Sequence, residues 1–229
     1  MLAAEWLKVW SLRSTPWALA VSALGIVGAS LNAAVADYDR WPTLSPQEQA
    51  YVRHSGAIFD AYPDTAAMIA MLATGCLGAV AIVSEYAGGL VRTTFAAVPA
   101  RRAVLGAKVG VLSAVMLVFG LVTATVSFGA AQAVLAGRHA TVAAGGTAVV
   151  QAVAASALLP VVCALVGLGV GALVRHSATG MVATVFLLML LPEFFTAKYR
   201  WSADLEYAMP HYAWAHLAAE QFVHTPPYP

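Results

Sequence analysis

Apolar residues gather into five long runs separated by shorter polar stretches. The runs extend approximately over Pro16–Ala36, Thr65–Ser84, Val109–Ala136, Thr147–Val174 and Ser177–Phe195. Each is close to the roughly 20 mostly apolar residues that a helix needs to cross a bilayer. None carries Asp, Glu, Lys or Arg in its middle, and Glu193 sits near one end of the fifth. The third and fourth runs exceed one bilayer thickness and are free to tilt, kink or project beyond it. Pro160 predicts a kink in the fourth, because proline cannot complete the helical hydrogen-bond ladder.

The polar stretches have patterns of their own. Ser45-Pro46-Gln47-Glu48 combines an N-cap serine, a first-turn proline and a capping-box glutamate, which predicts a short helix from about Pro46 towards His54. HYAWAHLAAEQF, residues 211–222, puts Tyr212, Ala215, Ala219 and Phe222 on one helical face and reads as an interfacial or re-entrant helix after Pro210. At the start of the chain, Leu2, Trp6, Val9 and Trp10 share one face while Glu5, Lys8 and Ser11 cluster on the other. That is the pattern of a helix lying along a membrane surface before the chain turns into the bilayer, with Arg13 in reach of lipid phosphates.

Composition agrees with the run pattern. The 229 residues are 61% hydrophobic and 10% charged, against the roughly 25% charged residues of soluble domains, and the chain reads as an all-α integral membrane protein in one transmembrane domain over 1–229. The net charge is +1 and gives no nucleic-acid signature. Glu5, Lys8 and Arg13 interrupt any cleavable signal core. Cys76 and Cys163 lie inside apolar runs and read as small buried side chains.

Orientation follows from Lys and Arg placement. With the N-terminus inside, the inner segments hold Lys8, Arg13, Arg92, Arg101, Arg102, Lys108 and Arg175, seven of the 12 basic residues. Segments 37–64 and 196–229 then lie outside. Most of the imbalance sits in one connector, residues 85–108, which also holds Glu85, Gly88, Gly89, Thr93, Thr94 and Pro99. The glycine pair permits a sharp chain path, and Pro99 would end a short helix through LVRTTFAAV. Arg101, Arg102 and Lys108 admit two readings, as topology signals against anionic lipid or as part of a docking surface. For Glu85 through Pro99 docking is preferred, since lipid anchoring requires no glycine pair, threonine pair or proline stop.

Two stretches resemble a known family. The N-terminal Glu5, Trp6, Lys8, Ser11, Arg13, Ser14 and Thr15 pattern is similar to that of membrane subunits of ABC-2-type ATP-binding-cassette transporters, the small actinobacterial permeases most of all. The connector, through Glu85, Gly89, Arg92, Thr93, Thr94, Pro99, Arg101 and Lys108, resembles the first cytoplasmic loop of those permeases. The resemblance implies an ABC-2 permease-like bundle opened by an interfacial elbow helix (residues 1–15) in a bacterial plasma membrane. It implies a coupling element at Glu85, Gly88, Gly89, Arg92, Thr93, Thr94 and Pro99 docked on a separate ATPase subunit, which would hold ATP and magnesium. It also implies a second permease subunit, and a membrane-interface set comprising Trp6, Lys8, Trp10, Arg13, Arg101, Arg102 and Lys108. The family has six spans, so a sixth is expected beyond the end of the chain at TPPYP, the alternative being a five-span variant with its C-terminus outside.

The expected role is the permease half of an exporter, with no catalytic residue of its own. No phosphate-binding loop, nucleophile elbow or H-E-x-x-H motif is present. The six histidines show no i,i+4 pair, so no metal site is expected. Asn32, Thr74, Thr123, Gln132 and Gln151 are candidates for a substrate path between subunits, each with the alternative of bonding a neighbouring helix. Gly106-x-x-x-Gly110 and the Gly167–Gly171 stretch fit close helix packing, either within one subunit or at a dimer seam. An ion-coupled carrier would place ionisable groups at membrane depth, which these runs lack. A non-transporting membrane subunit, such as an immunity factor, is the other competing role.

Overall fold

The computed structural model describes residues 2–11, 14–53, 57–89, 101–143, 145–195, 205 and 208–219. Their regular elements are helical: α1 (Leu2–Ser11), α2 (Ser14–Arg40), α3 (Pro46–Tyr51), α4 (Ala57–Ala61), α5 (Asp64–Ala87), α6 (Arg101–Leu135), α7 (Thr147–Val174), α8 (Ser177–Val185) and α9 (Pro210–Ala219). Among the described residues, five helical segments are long and apolar enough to cross a bilayer. They are the five runs seen in the sequence. The chain is a multi-pass membrane protein with a helical bundle.

The centre of the bundle is α7, which packs on α5, α6, α8 and α9. Its buried face is built mainly from small residues, among them Ala152, Ala155, Ala157, Cys163, Ala164, Gly167 and Gly171. In lipid, apolar area alone does not drive helices together, so close backbone approach and packing must do so. The α5–α7 seam follows that logic. A methyl group built on Gly78 would overlap the Ala164 carbonyl, and one on Gly167 would overlap the Gly75 carbonyl. A methyl on Gly171 would fall 2.8 Å from the Ala79 carbonyl oxygen. The Gly167–Gly171 spacing therefore serves packing within this chain, whereas Gly106 and Gly110 face open space. Pro160 is buried inside α7, which continues through it as one helix to Val174.

The large apolar side chains left outside the bundle, such as Trp17, Val21 and Leu24 on α2 and Val118 and Val122 on α6, form a surface suited to lipid. The fifth span changes hydrogen-bond pattern along its length. After α8 it passes through a π-helical turn, Phe186–Leu190, and a 3₁₀ turn, Leu191–Phe194. Pro192 has no N–H to donate, and the altered turns carry the chain across that gap.

At the bundle end remote from α1, α3 has the expected capping box. Ser45 N–H donates to Glu48 Oε2 at 2.7 Å, and Glu48 N–H donates to Ser45 Oγ at 3.3 Å. The helix at 210–219 is more deeply seated than an interfacial helix need be. Trp214 is buried against α7, where its Nε1–H donates to Ser156 Oγ at 3.0 Å.

Candidate functional site: a charged ring beneath the first helix

Three elements meet at the bundle end where α1 lies: α1 itself, the last turns of α5 and the second turn of α6. Each contributes charge. Lys8 Nζ lies 2.7 Å from Glu5 Oε1 and 2.9 Å from Glu85 Oε1. Lys108 Nζ lies 2.8 Å from Glu5 Oε2 and 2.9 Å from Glu85 Oε1. The contacts close into a ring in which each carboxylate meets both ammonium groups. Two positive and two negative charges make the ring neutral, which is what permits its burial, since an unpaired charge there would be costly.

Burial is uneven. The side chains of Glu5, Lys108 and Glu85 are 6%, 8% and 12% exposed, while that of Lys8 is 33% exposed. Burial pushes the Glu5 carboxyl up, but hydrogen bonds from Lys108 and Lys8, reinforced by their charges, outweigh it and hold Glu5 below its ordinary range. Burial likewise pulls the Lys8 ammonium down, and hydrogen bonds with Glu5 and Glu85 reverse the direction and raise it. Both groups are thereby held in their charged forms.

Helix α1 follows the amphipathic pattern with a reversed setting. Glu5 is its buried residue, and Leu2, Trp6, Leu7 and Trp10 are exposed. In a soluble protein the apolar face would turn inward. A membrane surface beside α1 accounts for the opposite arrangement, in which the tryptophans face out, 5.7 Å apart between ring centroids, and the charged face is turned into the protein. Val9 adds an apolar contact to the cluster of Leu19, Ile82 and Val111.

Several sequence candidates converge here and others do not. Lys8 and Lys108, expected at the membrane interface, and Glu85, expected in the coupling element, form one ion network. Gly88 and Gly89 follow α5 in a turn: Gly88 N–H donates to Ser84 O at 3.0 Å and Gly89 N–H to Tyr86 O at 3.2 Å. Gly89 has φ 68°, a left-handed conformation that glycine adopts without strain. Trp6 and Trp10 are exposed, as is Arg102. Arg13, Arg92, Thr93, Thr94 and Pro99 lie outside the described residues, as does the side chain of Arg101.

The polar candidates within the bundle are scattered. Thr74 is buried and donates to Ala70 O at 2.7 Å, and Thr123 donates to Phe119 O at 2.9 Å, so each bonds its own helix. Gln132 is paired in both directions with the backbone of Val142, the Val142 N–H donating to its Oε1 at 3.1 Å. Asn32 is exposed on α2 and Gln151 is half-buried on α7. Among the described residues no cluster of three or more metal-ligating side chains occurs.

No family model, curated protein or solved structure matches this chain. The site must therefore be read from its own geometry. Glu5 was not among the sequence candidates, although its i,i+3 spacing with Lys8 on a polar helix face was a visible signal. Paired with one another, the carboxylates and ammonium groups of the ring act on their surroundings electrostatically. The ring ties α1 to the two residues, Glu85 and Lys108, that bracket the connector. Beside it lies a cavity of about 190 Å³, lined by apolar residues of α5 and α6, by Ser11, Thr15 and Ser84, and by the ring itself.

Proposed function

We propose that this chain is the membrane-spanning permease subunit of an ATP-driven transporter of the ABC-2 type, acting as an exporter from a bacterial plasma membrane. It pairs with a second permease subunit and with separate ATPase subunits that bind and hydrolyse ATP, and its N-terminus faces the cytoplasm. The supporting observation is the ring, which joins the elbow-like α1 to both ends of the connector. A force applied to residues 90–100 by a moving ATPase reaches α5 through Glu85 and α6 through Lys108. Because both residues are paired with α1, the three elements move together. The tight α5–α7 seam then passes the motion to the centre of the bundle, where interlocked backbones leave little slack.

The test is co-purification with a candidate ATPase, which this reading expects in a neighbouring reading frame, followed by Arg92→Ala in the connector and Glu85→Ala in the ring. Arg92→Ala is expected to weaken the complex. Glu85→Ala is expected to leave a complex whose ATP hydrolysis no longer responds to the permease. If complex formation and stimulated hydrolysis are both indifferent to both changes, the coupling role is wrong.

A further inference from the structure

We infer that the cavity beside the charged ring is a binding site for a zwitterionic phospholipid with a primary ammonium headgroup. The inference goes beyond the transport reading and does not depend on it. The cavity, about 190 Å³, has room for several waters. Ser11, Thr15, Ser84 and the ring give waters partners along part of the lining, but Leu77, Val80, Val111, Leu112 and Met116 offer apolar side chains, and a buried water needs two to four polar contacts. A hydrocarbon chain suits such walls. These residues lie on spanning helices at the end where α1 packs, level with one leaflet of the bilayer.

The polar edge sets the headgroup. An ammonium carries three N–H donors, and Lys8 Nζ meets two carboxylate oxygens within the ring, which leaves one donor for a phosphate oxygen. Lys8 is also the most exposed member of the ring. The ring as a whole is neutral, so it offers no net attraction to an anionic lipid, and a phosphate next to Lys8 also lies close to carboxylates. A headgroup that brings its own ammonium answers both features, its phosphate accepting from Lys8 and its ammonium donating to a glutamate. Hydrogen bonds of this charged kind are the stronger class.

The purified full chain, without any ATPase, is titrated in native mass spectrometry with dioctanoyl phosphatidylethanolamine, dioctanoyl phosphatidylglycerol and dioctanoylglycerol. One retained phosphatidylethanolamine is expected, with affinity about tenfold above that of either other lipid, the scale of one charge-assisted hydrogen bond. Ala81→Phe, which fills the cavity from α5, and Lys8→Gln are each expected to weaken it about tenfold. Thermal unfolding without added lipid checks that each variant folds, and Lys8→Gln decides the matter if Ala81→Phe does not. Equal binding of the three lipids, or undiminished phosphatidylethanolamine binding by a folded variant, overturns the proposal. Because no ATPase is present, failure here leaves the transport reading untouched, and failure of that reading leaves this one.

Discussion

Replacing Lys108 with Met removes one corner of the ring while keeping an unbranched side chain of similar length. Lys108 Nζ has two contacts, at 2.8 and 2.9 Å, each about 6 kcal/mol of gross attraction at an effective dielectric constant of about 20. Desolvating a buried ion costs several kcal/mol and offsets much of that gain. What remains after Lys108→Met is two carboxylates sharing Lys8, an uncompensated charge in a buried setting. The expected loss is about 3–5 kcal/mol, the range for removing one partner of a buried pair. Lys8→Met leaves the same two carboxylates, now sharing Lys108, but it vacates the corner of the ring that is 33% exposed, where water can reach the excess charge, so its cost should be smaller than that of Lys108→Met. Adding Glu85→Gln to Lys108→Met restores neutrality around the Glu5–Lys8 pair, so the double change should cost about 0.5–3 kcal/mol less than the sum of the two. Equilibrium unfolding in mixed micelles of rising SDS fraction, followed by tryptophan fluorescence, reads all four variants. If the double change is additive, the ring is not a coupled unit.

The ring also carries a pH signature at both extremes. Glu5 is held below its ordinary 4.5, so its contribution is present above that pH and is lost as pH falls through the lowered folded value. Lys8 is held above its ordinary 10.5, so its contribution is complete below that pH and is lost as pH rises through the raised folded value. The distance between spin labels at Ala4 and Leu105, both exposed, should therefore stay constant from pH 5 to 10 (about half a unit inside those ordinary values) and broaden only outside that window; broadening near neutrality would contradict the assignment. Along the α5–α7 seam, Gly78→Ala should destabilise by about 3 kcal/mol or more, because the added methyl meets backbone that cannot rotate away. Gly106→Ala, with nothing within 4 Å, should be neutral or stabilising by up to about 1 kcal/mol, and a matching loss at both positions in the same unfolding assay would sink the packing argument.

Much of the architecture was legible along the chain. The α3 capping box was legible because Ser45 and Glu48 are three residues apart and bond each other directly. The face of α1 was legible too, but not its direction: the two-sided pattern of Leu2, Trp6 and Trp10 against Glu5 and Lys8 is the same whether the charged side meets water or protein. Trp214 shows a similar limit. Its helix was visible in HYAWAHLAAEQF, while its place against Ser156, 58 residues earlier, was not. The break in regular helix after Val185 had its signal in Pro192, although the π-helical turn that precedes it depends on hydrogen-bond choices that proline alone does not specify.

The amino-acid sequence by itself determined that five segments enter lipid, because the preference of about 20 consecutive apolar residues for hydrocarbon is a local property that needs no neighbour. It also determined where charge gathers, with Glu85 and Lys108 at the two ends of one connector. Only the tertiary structure decided that these charges neutralise one another through Glu5 and Lys8. Glu85 lies 77 residues from Lys8 and 23 from Lys108, and Coulomb attraction depends on distance in space, which helix packing sets. The backbone approach of Gly75 and Gly78 to Ala164 and Gly167 on α7 sets that packing where α5 and α7 cross, and no residue along the chain announces its partner.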